Sequence, residues 1–233
     1  MSKRGVTIFL TILLAVCLVG MERMKTGQER EALTAEAGQR PEGESAGKEE
    51  KLVALTFDDG PHEGSTERLL TGLKEREVKA TFFLIGGSIE GREELVKKMA
   101  EDGHLIGSHT FHHVQLTNLS LEEACREITM TNEAITAVTG QPVEYIRPPY
   151  GSWNSRLECT IDLHEVGWTV DPRDWDVKNT ETIVKQVLKN VRDGSIILLH
   201  DVYDTSVEAA FQIIDELQAQ GYTFVTVDRL LID

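Results

Sequence analysis

Two adjacent carboxylates, Asp58 and Asp59, close the apolar run from Leu52 to Phe57 and are followed by Gly60 and Pro61. Side by side at a strand end, such acids repel each other unless a cation or a shared proton intervenes. Asp-Asp-Gly is also ordinary turn chemistry, so the rest of the chain has to decide. It supplies His109-Thr110-Phe111-His112-His113, an Asp174 ahead of Trp175, and His200 at the end of another apolar run. With one carboxylate, His109 and His113 form a two-histidine, one-aspartate donor set that stays open to water. That set suits one divalent ion, zinc first, with Co2+ or another borderline metal also accommodated. Exposed or core histidines are the alternative, and His112 is expected to point away. Asp58 and Asp59 can then divide the work: one ligates, and the other takes a proton from water whose pKa the metal has lowered.

His200 follows Ile196, Ile197, Leu198 and Leu199. It is either a satisfied core histidine or a general acid kept protonated by a carboxylate. Asp174 is the first candidate for that partner and Asp201 the weaker one. Asp171 and Asp176 read as turn or solvent-facing acids. Arg147 precedes Pro148-Pro149-Tyr150-Gly151, a rigid turn in which a guanidinium could orient a carboxylate such as Asp58, or simply face solvent. Tyr150 sits where a turn amide can meet an oxyanion. Trp153, Trp168 and Trp175 lie near these motifs. Each is a sugar-stacking face or a core residue, and Trp175 is the expected wall of a pocket.

The elements that must position these groups alternate. Strand-like runs cover Leu52 to Phe57, Ala80 to Ile85, His104 to Ser108, Tyr145 to Arg147, Val166 to Val170, Ser195 to Leu199 and Phe224 to Val227. Helices are predicted over Thr66 to Glu75, Glu93 to Glu101, Ser120 to about Val138, Asn154 to His164, Thr180 to Val191 and Ser206 to Gln220. Ser120 with Glu123 reads as a capping box, Gly140 as a stop and Thr180 as a cap. Seven near-continuous apolar strands alternating with helices define an α/β fold with a parallel sheet or barrel. Reactive groups after the strands are where α/β barrels place chemistry. An open doubly wound sheet would lead us to expect a glycine-rich first turn, where this chain has acids.

The 233 residues carry a formal charge of −15 and no basic stripe, which argues against a nucleic-acid partner. Of three cysteines, Cys17 lies in an apolar N-terminal run; Cys125 and Cys159 are expected to be isolated thiols, with a bridge between them possible. Lys3 and Arg4 precede the apolar run from Val6 to Val19, so residues 1–21 read as a signal anchor or signal peptide. Residues 22–50, polar and without aromatics, read as a flexible linker. The expectation is an extracytoplasmic domain over residues 51–233, membrane-anchored through its N-terminus or secreted, and a monomer.

Together these residues resemble the polysaccharide deacetylase family (NodB homology domain, carbohydrate esterase family 4) over Lys51 to Leu231. Thr56-Phe57-Asp58-Asp59-Gly60 matches its first motif, which implies Asp58 as base and Asp59 as metal ligand. His109 to His113 matches the second, whose outer histidines complete the metal triad. Arg147 to Gly151 matches the third, with Arg147 tuning the base and the Tyr150 amide at the oxyanion. Asp171-Pro172-Arg173-Asp174-Trp175 matches the fourth, with Asp174 pairing the acid histidine and Trp175 lining the groove. Leu198-Leu199-His200 matches the fifth, placing Leu198 against the acetyl methyl and His200 as acid. The resemblance implies a distorted (β/α) barrel of about seven parallel strands. It also implies metal-dependent removal of N-acetyl groups from an acetylated polysaccharide, peptidoglycan before chitin. Chitooligosaccharide deacetylation, O-acetyl ester removal and a catalytically silent wall-binding module are the other readings.

Overall fold

The computed structural model describes residues 50–153, 157 and 162–231. The proposed signal segment, the linker apart from Glu50, and Cys159 lie outside the described residues. Cys125 is a half-buried free thiol.

The strands are β1 (Lys51–Asp58), β2 (Thr81–Leu84), β3 (Leu105–Ser108), β4 (Tyr145–Ile146), β5 (His164–Glu165), β6 (Ser195–His200) and β7 (Tyr222–Val225). The helices are α1 (Ser65–Glu75), α2 (Glu93–Glu101), α3 (Leu121–Thr139), α4 (Asp174–Val177), α5 (Thr180–Asn190), α6 (Asp204–Ala219) and α7 (Val227–Leu231). The seven strands form one sheet in the order β5-β4-β3-β2-β1-β6, with β7 also on β1. All of its pairings are parallel. Lys51 to Ala54 pair with β7 while Thr56 to Asp58 pair with β2, so β7 and β2 share the edge of β1 opposite β6. The chain leaving β5 then crosses to the far side, where Val170 bridges Ile197 of β6. The sheet is thereby curled into the distorted barrel that the sequence predicts.

Side-chain alternation along β1 and β6 separates packing from chemistry. Val53, Leu55 and Phe57, with Ile197 and Leu199, are fully buried in the main core against Leu69, Leu70 and Leu73 of α1 and Ile213, Ile214 and Leu217 of α6. Each such side chain contributes about 1.5–3 kcal/mol of burial, so this outer layer holds the sheet's register. The alternate set, Thr56 and Asp58 on β1 and Leu198 and His200 on β6, faces inward. Asp58 stands directly opposite His200 and also opposite Phe83 of β2. Leu84 pairs with Ser108, and Ser108 with Ile146. Asp59, His109 and Arg147, each one residue past these positions, therefore come off the same rim of the barrel.

Ser120 and Glu123 form the capping box of α3, and Gly140 ends it with φ 70°. Elsewhere the structure departs from the sequence reading. The cap of α5 is Asn179, whose Oδ1 accepts from the Thr182 amide at 2.9 Å; Thr180 is already helical and donates to the Thr205 carbonyl. Of the helix predicted over Asn154 to His164, residues 154–156 and 158–161 lie outside the described residues, and His164 belongs to β5. The strand predicted over Val166 to Val170 is paired only at its ends, because it crosses from β4 to β6. Between them the carbonyls of Val166 and Gly167 accept from Arg147 instead of from a neighbouring strand. The last strand lies two residues earlier than predicted, since Val227 turns into α7 over the barrel end, its amide donating to Thr81 Oγ1.

Candidate active site

At the C-terminal rim of the strands lies a cavity of about 460 Å³ lined by residues that include Asp58, Asp59, His109, His113, Tyr150, Trp175, Leu198 and His200. Arg147 and Asp174, the remaining two candidates, are completely buried behind it. The structure thus brings together the ten residues to which the family resemblance gives a role.

Asp59 Oδ1 lies 3.5 Å from His109 Nε2 and 3.4 Å from His113 Nε2. These three residues are the one group among those described whose donor atoms gather closely enough to hold a metal ion. Ligand atoms about 2.0–2.1 Å from a tetrahedral zinc stand about 3.3 Å apart, so the spacing fits. Two further observations support the fit. Asp59 Oδ1 is buried and without a hydrogen-bond partner, which is costly unless something else occupies it. His109 Nδ1 lies 2.6 Å from the Arg147 carbonyl, so it carries the ring proton and leaves Nε2 as a lone-pair donor. Burial holds the His109 pKa below its ordinary value despite the nearby Asp58 and Asp59 charges, which keeps that nitrogen unprotonated.

The segment from His109 to His113 is an irregular turn. His112 points away, 60% exposed at its side chain, and bonds Glu127. The backbone has positive φ at seven described non-glycine residues, and Asp59, Thr110, His113 and Tyr150 are among them. Arg173, next to Asp174, is a fifth. Such conformations cost about 1–3 kcal/mol each and persist where the surroundings enforce them. Their concentration here marks the site as the place where the fold spends stability on geometry.

Asp58 Oδ1 accepts from Arg147 Nη1 at 2.8 Å, while its Oδ2 lies 3.8 Å from His109 Nε2. The Arg147 guanidinium also donates to Thr56 Oγ1 and to the Val166 and Gly167 carbonyls, and it lies over the Phe83 ring at 4.3 Å. A buried cation that donates four hydrogen bonds therefore fixes and compensates one oxygen of Asp58. Across the cavity, His200 Nδ1 lies 2.8 Å from Asp174 Oδ1, and the His200 amide donates to Asp174 Oδ2 at 2.8 Å. Burial alone would lower the His200 pKa. The Asp174 hydrogen bond and charge, with the charges of Asp58 and Asp59 beyond, outweigh it and raise the pKa to about 9. Asp174 is thus the partner of His200. Asp201 instead accepts from Thr66 Oγ1 at 2.5 Å, beneath Gly60, where a Cβ would clash with its carboxylate.

Tyr150 and Trp175 are the exposed aromatics of the rim, 68% and 44% accessible. The Tyr150 ring packs edge-on against His113. Trp168 also lines the cavity; its sequence neighbourhood pointed to it, without distinguishing a wall from a core residue. Trp153 is partly buried against the core cluster that contains Leu116, Ile128 and Ile146, and does not line the cavity. Glu127 and Thr66 escaped the sequence reading as parts of the site, and Thr56 entered it only as a motif residue, without its role as an acceptor for Arg147. Each is a common residue inside a helix or strand, with no local signature of the groups it meets.

A family model described as Polysaccharide deacetylase matches residues 45–167. The chain belongs to that family. It is 40% identical over 190 residues to the peptidoglycan-N-acetylmuramic acid deacetylase PdaC of Bacillus subtilis, covering 82% of this chain and 41% of that protein. It is 41% identical over 183 residues to the peptidoglycan-N-acetylglucosamine deacetylase PgdA of Listeria monocytogenes, covering 78% and 39%. The chain thus spans about two fifths of the length of these two relatives. A chitooligosaccharide deacetylase of Rhizobium leguminosarum bv. trifolii is 37% identical over 198 residues, 77% of this chain and 92% of that one. The solved structure of PdaC superposes with a TM-score of 0.76 at 40% identity, over 78% of this chain and 90% of that chain.

Proposed function

We propose that this protein hydrolyses the N-acetyl group of N-acetylhexosamine residues in a cell-envelope polysaccharide, peptidoglycan first. The observation that carries the reading is the flanking of one donor triad, Asp59, His109 and His113, by an Arg147-held carboxylate on one side and an Asp174-held imidazole on the other. When bound there, a divalent ion, Zn2+ in this reading, supplies Lewis acidity toward the acetyl carbonyl and an acidified water.

The chain's own residues do the rest. Arg147 occupies Asp58 Oδ1, so Oδ2 takes the proton of the attacking water as its oxygen adds to the acetyl carbon. The Tyr150 amide donates to the oxyanion that forms. His200 Nε2, protonated because Asp174 holds Nδ1, gives its proton to the sugar nitrogen. The C–N bond breaks, and acetate and a free amine leave. Leu198 sits against the acetyl methyl, while Trp175 and Tyr150 offer faces to the sugar.

The relatives named above act on both sugars of peptidoglycan and on chitooligosaccharides, and the chemistry is common to all three. The N-terminal run and the polar tether behind it favour the envelope, with residues 51–233 outside the membrane as the catalytic domain and acting as a monomer. Among the described residues no helix is long and apolar enough to cross a membrane. Mass spectrometry of muropeptides after treatment of isolated wall with the zinc-loaded protein tests the substrate. Deacetylated glucosamine or muramic acid supports the reading. Unchanged wall with deacetylated chito-oligomers moves the substrate to chitin, and no deacetylation of either sinks the proposal.

A further inference from the structure

The turn that carries His109 and His113 cannot satisfy its own backbone. Thr110 and His113 are both left-handed, with φ 64° and 54°, so the helical hydrogen bonds that would join residues four apart do not form. Two of the turn's carbonyls are met by the neighbouring loop: Gly86 donates to the Thr110 carbonyl at 3.0 Å and Gly87 to that of Phe111 at 2.9 Å. A Cβ at either glycine would press on Phe111, at 2.7 and 2.9 Å, so that wall is closely fitted.

The His109 amide is met by the Leu84 carbonyl, and the next two amides the structure pairs are both met by one carboxylate. Glu127 Oε2 accepts from the Phe111 amide at 3.1 Å and the His112 amide at 2.9 Å. Its Oε1 lies 2.7 Å from His112 Nδ1. Glu127 projects from α3, whose Ile128 and Thr131 are buried against the domain and whose ends are both capped, so the carboxylate stands on a rigid support. Among the described residues, the hydrogen bonds of its carboxylate all go to Phe111 and His112 of this turn.

We propose that Glu127 is a positioning residue of the metal centre: by gripping the Phe111 and His112 amides it sets the spacing of His109 and His113. The inference rests on the metal reading of the triad given above. Outer partners that orient metal ligands typically contribute about 10- to 100-fold in metal affinity. His112 then serves as a secondary grip, and its removal leaves the two amide bonds in place.

The test is zinc affinity, measured by chelator competition on the apo protein, for wild type, Glu127→Ala, Glu127→Gln and His112→Ala, with folding checked by circular dichroism. The expected result is a loss of about 10- to 100-fold for Glu127→Ala, a smaller loss for Glu127→Gln, which keeps one acceptor oxygen, and near-wild-type affinity for His112→Ala. The Co2+-substituted Glu127→Ala protein is expected to show an altered d–d spectrum, which a remote stability defect would not produce. A folded Glu127→Ala protein with wild-type zinc affinity overturns the proposal alone. Should that variant not fold, wild-type affinity in Glu127→Gln does so. A wild type that binds no zinc overturns the metal reading and the proposal with it.

Discussion

Arg147 Nη1 lies 2.8 Å from Asp58 Oδ1, and the two side chains are 0% and 4% exposed. An ion pair so deep is costly to form and more costly to break, because the surviving partner keeps its charge without compensation. Breaking such a pair costs about 3–5 kcal/mol. Arg147→Met is expected to lose stability of that order in urea denaturation of the folded chain, together with turnover. Arg147→Lys is expected to recover little, since an ammonium cannot reach Asp58, Thr56 and two carbonyls at once as the planar fork does.

The His200–Asp174 pair predicts a pH dependence whose sign is fixed. The folded-state pKa of His200 is raised to about 9, above the ordinary value of about 6.5. Its contribution to stability is therefore complete below about 6.5 and is lost as pH rises through about 9. The acid form needed for protonating the amine follows the same course, so kcat should fall on the alkaline side near that pH. Asp174→Asn removes the hydrogen-bonded charge that opposes burial, and should move the alkaline limb down by more than one unit while lowering kcat. An NMR titration of the His200 ring checks the assignment directly.

Zinc should stabilise the fold as well as activate it. A ligand at about 100 times its Kd adds about 2.7 kcal/mol to a site present only in the native state. The melting temperature of the apo protein should therefore rise with added zinc, and that rise should vanish in His109→Ala and in Asp59→Ala. A metal chelator should abolish acetate release, and zinc should restore it.

Trp175 and Tyr150 are expected to act on binding. An aromatic contact is worth about 0.5–1.5 kcal/mol beyond its buried area, so Trp175→Ala should raise KM several-fold on sugar oligomers. Its kcat should change less, because the ring makes no hydrogen bond to Asp58 or His200. Steady-state kinetics on a defined oligomer separate the two effects.

The parts of this molecule that were legible in the sequence are those with local causes. Apolar runs ending in acids or histidines located β1 and β6. Ser120, Glu123 and Gly140 marked both ends of α3 through cap chemistry that needs no tertiary contact. The register that sets Asp58 opposite His200 has no such cause. It comes from the packing of Phe57 and Leu199 on the outer face. The crossing segment after β5 was misread as a strand because its apolar residues look the same whether a ladder or the Arg147 guanidinium takes their carbonyls. Glu127 was invisible for a related reason: a glutamate in a helix reads as solvent-facing, and only the fold lays an amide-rich turn against it.

In the proposed reaction, Asp58 and His200 work on the same acetyl group from opposite sides of the Asp59–His109–His113 triad. The most direct measurement is acetate released from N-acetylglucosamine oligomers and isolated peptidoglycan by the zinc-loaded wild type, Asp58→Asn and His200→Ala, each with its zinc content determined. Release is expected from the wild type, with a loss of at least about 100-fold, the scale of general acid–base catalysis, in each variant at unchanged zinc content. Release that is undiminished in both fully loaded variants would contradict the proposed reaction.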